Sequence, residues 1–539
     1  MTIRLRRTNV KFSIWILKFG FTEGLSFMSN TKVLVIGLDG ATFDVIGPLM
    51  EKGLMPCLKS MKETGASGKL TSVIPPVTAP AWFSLASGKN PGKTGVFGFQ
   101  VRTKDDFEFE YLSSRFFKGN SFWDLLGEQG KTVGLVNYPM LFPPYPIKGF
   151  MVSGLGSSPE QEITYPESLK DELNQVTSGY EIRVNYSDKH YRDADDLLIT
   201  DINRVLDKNV AAALHLMKTR DWDLFMVVIS VTDWIQHALW KYLDPSHPLY
   251  DQGKHEKYQP EFDRFWGRVD DAIARLMEQA QPGVTFILSD HGFGPMKKAF
   301  YLNTWLQKQG YLKKKGFLKK LFKRRAKGED TRKGSRLLKE KLDVQKTAAF
   351  CLEQNILLGN IYFSHAQDKP GLREEIRKKL NDLTDSSGNR IDVKMYQPED
   401  VYWGEHTHLA PDLFIVLDDF KYSVEFRLSD RLFLDRPSNP NRTGSHRLEG
   451  IIMVQGPMIS KTKIEGAHIY DIASHILYLS GVPIPEDLDG KIINHLFTPS
   501  YLESHPAVYG KPRPFVMDEG FRRSDHVEVE KRLKALGYL

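Results

Sequence analysis

The chain has few of the features that would classify it at a glance. Its 539 residues include only two cysteines, Cys57 and Cys351, which give no disulfide framework and fit a reducing cytoplasm. No apolar run reaches the roughly 18–20 residues that a membrane-spanning helix needs. The nearest, Phe12 to Phe21, is shorter and carries Lys18. It follows Arg4, Arg6 and Arg7 as a secretory leader would, yet no A-x-A-like cleavage site comes after it. Met28 shortly precedes the first convincing strand, so residues 1–28 are read as an N-terminal extension, either an upstream start or a disordered arm. Internal repeats of solenoid or propeller period are missing, and no nucleic-acid-binding module accompanies the basic residues.

What is present is ordinary globular material, 41% hydrophobic and 12% aromatic, enough for a large core and, by length, for more than one domain. The net charge of +6 is small but unevenly placed. Lys313, Lys314, Lys315, Lys319, Lys320, Lys323, Arg324, Arg325 and Lys327 fall in one stretch without an acid. Phe317, Leu318, Leu321 and Phe322 recur among them at helical spacing, which predicts a short basic amphipathic helix. Three readings stay open for it: a solvated insertion, attachment to an anionic membrane surface at about 1 kcal/mol per basic residue, or a lid that attracts anionic substrate. The location expected is cytoplasmic, membrane-peripheral if the second reading holds.

Short β-branched runs alternate with amphipathic helices, the pattern of an α/β fold with a mainly parallel central sheet flanked by helices. Val33–Leu38, Val133–Asn137, Leu224–Val231, Val284–Ser289, Leu413–Leu417 and Ile451–Val454 read as its core strands. Between them, Phe265, Val269, Ala272, Ile273 and Leu276 form one apolar helical stripe, read as core packing. Residues 138–195 and 308–408 break the alternation and read as cap or lid insertions. The expected organisation is therefore an extension over 1–28, a catalytic domain from 29–307 and 409–500, an insertion over 308–408 and a tail over 501–539.

Five short contexts deliver ligand-type side chains where strands end or turns begin. Asp39 follows the run VLVIGL, and Asp290 and His291 follow VTFILS, before Gly292 and Gly294. Asp233 and His237 are four apart beyond LFMVVISV, so on a helix both reach one ion. His446 sits in a Gly-Ser turn before IIMV. Thr78 lies in a turn bracketed by Pro75, Pro76 and Pro80, where it either caps a helix or holds its hydroxyl beside an anion at the positive helix end. Carboxylate oxygens with imidazole nitrogens suit Zn²⁺, Mn²⁺ or Fe over Ca²⁺. Of the remaining histidines, His406 and His408 lie close to the run Leu413–Leu417.

These motifs, LDGATFD, PPVTAPAWFSLASGKNPGKTGVFGF, D-x-x-x-H, SDHGFGP, TGSHRLEG and DLDGK, resemble the alkaline phosphatase superfamily, specifically its type I phosphodiesterase and nucleotide pyrophosphatase branch, over roughly residues 32–500. The resemblance implies two divalent ions, usually zinc. One is held by Asp233, His237 and His446, the other by Asp39, Thr78, Asp290 and His291. It also implies that Thr78 attacks phosphorus to give a phospho-threonine that water hydrolyses, and that the partner is a small phosphate ester.

This chain departs from the branch in lacking an Asn downstream of the nucleophile, and in reading Ser87-Gly88-Lys89-Asn90-Pro91-Gly92-Lys93-Thr94-Gly95 where a His-Gly is usual. Lys89 or Lys93 is the expected substitute donor to the phosphoryl group. Sulfatase chemistry is not expected, since that branch needs C/S-x-P-x-R and Thr78-Ala79-Pro80-Ala81-Trp82 supplies neither the modifiable residue nor the arginine. Hydrolysis of phosphodiester or pyrophosphate bonds is the leading expectation. Transfer of the phosphoryl group to another acceptor, phosphomutase chemistry, and a non-catalytic scaffold at a membrane are the alternatives.

Overall fold

Runs that are apolar on both faces make strands covered by helices on both sides, and VLVIGL is buried at every position. The computed structural model describes residues 31–102, 109–157, 160–184, 189–191, 193–315, 342–343, 346–352, 357–364 and 369–516. Nine strands form the large sheet: β1 (Val33–Leu38), β2 (Ala66–Thr71), β3 (Val133–Tyr138), β4 (Gly149–Ser153), β5 (Thr164–Tyr165), β6 (Leu224–Ile229), β7 (Val284–Leu288), β8 (Glu449–Gln455) and β9 (Lys463–His468). Their order is β9-β2-β8-β7-β1-β6-β3-β4-β5. Strands β7, β1, β6, β3 and β4 are mutually parallel, whereas β8 and β5 run against their neighbours. The architecture is the α/β one that the alternating runs predict.

Alternation along β1 sorts the layers. Val33 and Val35 join one hydrophobic cluster with Trp82, Phe83 and Leu85 of helix α1 (Thr78–Ser87). Leu34, Ile36 and Leu38 join the other, with helices α2 (Asp195–Thr219), α3 (Val231–Leu243) and α4 (Gln252–Ala280). The stripe Phe265, Val269, Ala272, Ile273 and Leu276 is buried on α4, as its periodicity predicts. Leu38 pairs with Ile229, and Gly37 with Leu288, so β1, β6 and β7 end level with one another. Ligands in parallel α/β sheets collect at this edge, beyond the carboxyl ends of the strands.

A second, smaller body lies beside this sheet. Ala349–Cys351, Gly359–Phe363, Leu413–Leu417 and Val393–Tyr396 form a four-stranded antiparallel sheet with its own apolar cluster. Leu413–Leu417 is thus a core strand of the small sheet and not of the large one. A buried apolar run looks the same in either setting, and only its partners tell them apart.

The small body's apolar cluster takes in Phe300, Leu413, Ile415, Leu417 and Val424, and so draws on chain from both sides of the 308–408 segment. Lys298–Tyr301 pairs with Tyr422–Glu425 in a further sheet, which carries the same connection. Likewise Gly149–Ser153, inside the other expected insertion, extends the large sheet. Residues 1–30, 316–341 and 517–539 lie outside the described residues, and with them the N-terminal extension, most of the expected basic helix and the end of the tail. Among the described residues no helix is long and apolar enough to cross a membrane.

Candidate metal centre

The level strand ends bring the sequence-predicted side chains together. Asp39 follows β1, Asp290 and His291 follow β7, and Asp233 and His237 lie in the first turns of α3, which begins just after β6. His446 arrives on a two-stranded antiparallel ribbon, in which Gly444–Arg447 pairs with Gly292–Pro295 and His446 lies opposite Phe293. Gly40 turns the chain behind Asp39 at φ +68, and a Cβ there would stand 2.8 Å from the Phe293 ring, so the position favours glycine.

The ligand atoms converge closely. His237 Nε2 and His446 Nε2 each lie 3.2 Å from Asp233 Oδ1 and 3.1 Å from each other. His291 Nε2 lies 3.2 Å from Asp290 Oδ2 and 3.6 Å from Asp39 Oδ1. Two groups have donor atoms within 4.8 Å of one another: Asp233 with His237 and His446, and Asp233 with Asp39 and His291. The first is the set expected from sequence. The second adds Asp233 to members of the other set. Thr78 is the first residue of α1, with Val77 as its N-cap and no side-chain cap bond. Its hydroxyl is not used for capping and stands 3.5 Å from His291 Nε2.

The other ring nitrogens decide the chemistry. Nδ1 of His237 meets Gly444 O at 2.7 Å, Nδ1 of His446 meets Pro76 O at 2.9 Å, and Nδ1 of His291 meets Gly292 O at 3.1 Å. A carbonyl only accepts, so each Nδ1 donates, and in a neutral ring so held Nε2 carries a lone pair. Burial pushes His237 down to about 4; burial, then the neighbouring His446, holds His291 well below its ordinary value. These two rings are therefore neutral at pH 7, with lone pairs facing carboxylate oxygens.

Asp39 Oδ1 and Asp290 Oδ2 are buried and meet no hydrogen-bond donor among the described residues. Burial, then the charges of Asp290 and Asp233, raises the Asp39 carboxyl well above the usual range, and burial pushes Asp290 up to about 8. Such a cluster needs positive charge, from protons or from cations. Imidazoles held by backbone carbonyls are the usual support of metal-binding histidines, and the donor set fits a Zn²⁺-type ion.

Other expected residues lie elsewhere. Lys89 Nζ pairs with Asp487 at 2.7 Å, and Lys93 Nζ with Asp489 at 2.8 Å. Asp489 also accepts from Asn90 and from Trp403 Nε1. Both lysines thus tie the 87–94 segment to the DLDGK loop. His408 is exposed and meets Glu405 O, and His406 faces Glu405; neither joins the centre. Thr232 and Gln236, buried on α3 beside the ligands, are not singled out by the sequence reading. Their one signal is i, i+4 spacing next to Asp233 and His237.

Residues 33–449 match the type I phosphodiesterase / nucleotide pyrophosphatase family. The chain belongs to that family, whose members are metal-dependent hydrolytic enzymes acting on phosphate esters. Among solved structures it is similar to phosphonoacetate hydrolase from Sinorhizobium meliloti 1021 in complex with phosphonoacetate, at TM-score 0.55 and 16% identity over 84% of this chain and 96% of that one. It is also similar to murine ectonucleotide pyrophosphatase / phosphodiesterase 5, at TM-score 0.49 and 14% identity over 87% of this chain and 100% of that one. The first likeness shows a shared fold. No curated protein matches the chain.

Proposed function

We propose that the chain hydrolyses phosphodiester or pyrophosphate bonds through a phospho-threonine on Thr78, at a site for two divalent ions. The observation that supports this most is the convergence of three carbonyl-anchored imidazoles and three buried carboxylates beside a hydroxyl that caps nothing. Asp233, His237 and His446 would hold one ion; Asp39, Asp290, His291 and Thr78 would hold the other. Divalent ions bound there lower the pKa of a hydroxyl and neutralise phosphoryl oxygens.

Thr78 Oγ1 attacks phosphorus while the bond to the leaving oxygen breaks, and that oxygen departs with the hydroxyl's proton. Water then attacks the phospho-threonine, which frees the phosphoryl product and restores the hydroxyl. The positive end of the α1 dipole lies beside Thr78 and would favour an anion there. Metal analysis of the purified protein, together with rates on bis-p-nitrophenyl phosphate and on the monoester, tests the reading. Two divalent ions per chain and faster diester cleavage are expected. Protein without divalent metal, or a preference for the monoester, contradicts it.

A further inference from the structure

Helix α3 turns two adjacent faces toward the centre. Asp233 and His237 are ligand candidates, and Thr232 and Gln236, each one residue earlier, grip the neighbouring turn. Thr232 Oγ1 stands 2.7 Å from Asp39 O and 2.7 Å from Ile229 O, so its single proton serves a carbonyl at the end of β1 or one at the end of β6. Gln236 Nε2 donates to Gly40 O at 3.0 Å and to Thr232 O at 2.8 Å. Gly40 N–H in turn donates to Asp290 Oδ1 at 3.1 Å. Hydrogen bonds joined through the Gly40 backbone therefore link the helix that carries Asp233 and His237 to the backbone of Asp39 and the carboxylate of Asp290.

The Gln236 amide has a fixed orientation, because both its acceptors are carbonyls and only nitrogen can serve them. Its Oε1 is left buried with no hydrogen-bond donor among the described residues, which costs free energy that an apolar atom would not incur. The donor half of the amide stabilises the fold by satisfying Gly40 O; the buried Oε1 is the part that stability does not explain. We propose that Gln236 and Thr232 are positioning residues that couple the two ligand groups, so that ordering α3 around the first ion sets Asp39 and Asp290 for the second. This coupling rests on the two-ion reading above.

Metal-stripped protein titrated with Zn²⁺ by calorimetry, with native mass spectrometry to count ions, tests it. Wild type takes up two ions. Gln236→Leu takes up the first as wild type does and the second about 10-fold to 100-fold more weakly, while the stripped protein melts lower because Gly40 O loses its donor. Thr232→Val shows the same selective loss and Thr232→Ser, which keeps the hydroxyl, restores it; this pair serves if Gln236→Leu does not fold. Wild-type affinities for both ions in Gln236→Leu and Thr232→Val, or equal weakening of both ions, overturn the coupling. Wild type that binds fewer than two ions overturns the two-ion reading itself, and the coupling with it.

Discussion

The large sheet and the small antiparallel body are built from similar apolar runs, yet among the described residues only the first carries the candidate chemistry. Every ligand candidate leaves a strand end, a first helical turn or a ribbon attached to the large sheet. The small body packs its own core. The chain beside it meets the rest in part through Tyr402, whose hydroxyl donates to Ile74 O, and through Trp403, which donates to Asp489. Parallel strands that end level create a shared edge where side chains distant in sequence meet. An antiparallel sheet of short strands offers no such edge.

The contrast predicts effects that fall with distance from that edge. Asp233→Ala and His237→Ala should lower diester turnover at least about 1,000-fold and remove about one ion per chain, read by steady-state kinetics and metal analysis. Activity retained in both, with metal content unchanged, would break the assignment of the edge as the active centre.

Removing metal from the large-sheet edge makes its stability depend on pH. Without metal, Asp290 has a folded pKa of about 8, above its unfolded value, and Asp39 is raised in the same direction. Their stabilising protonation is fully present below the unfolded value of about 3.9, and for Asp290 it is lost as pH rises through about 8. Metal-stripped protein should therefore melt lower at about pH 8.5 than at about pH 6, and metal should raise Tm more at the higher pH. Melting curves with and without Zn²⁺ at both values check this.

Much of the centre is legible in the sequence because an apolar run followed by Asp or Asp-His marks a strand end without any knowledge of partners. Asp39, Asp290 and His291 are readable for that reason, and Asp233 with His237 through i, i+4 spacing. What is not legible depends on pairing across long separations. Leu413–Leu417 goes to the small sheet, β8 runs antiparallel, and Lys89 finds Asp487 398 positions away. Gln236 is hidden for another reason: a lone glutamine in a helix reads as surface until its burial is known.

Smaller effects test the outlying contacts. Lys89→Met should cost about 1 kcal/mol of stability, since Asp487 Oδ2 loses its ammonium while Oδ1 keeps the Arg513 N–H, and KM for a small diester should change less than about threefold. A large rise in KM with unchanged stability would return Lys89 to the substrate. Least of all, changing Lys319, Lys320, Lys323 and Lys327 to Gln should leave turnover of a small soluble diester unaltered, and weaken binding to anionic vesicles if that stretch meets a membrane, as flotation would show.

In the proposed mechanism Thr78 carries the phosphoryl group between the two steps. Rapid quench of wild type with bis-p-nitrophenyl phosphate, followed by peptide mapping, should find the nitrophenyl phosphoryl group on the peptide containing Thr78, and Thr78→Ala should retain metal but lose turnover. An unmodified peptide during turnover, together with an active Thr78→Ala, would contradict the account.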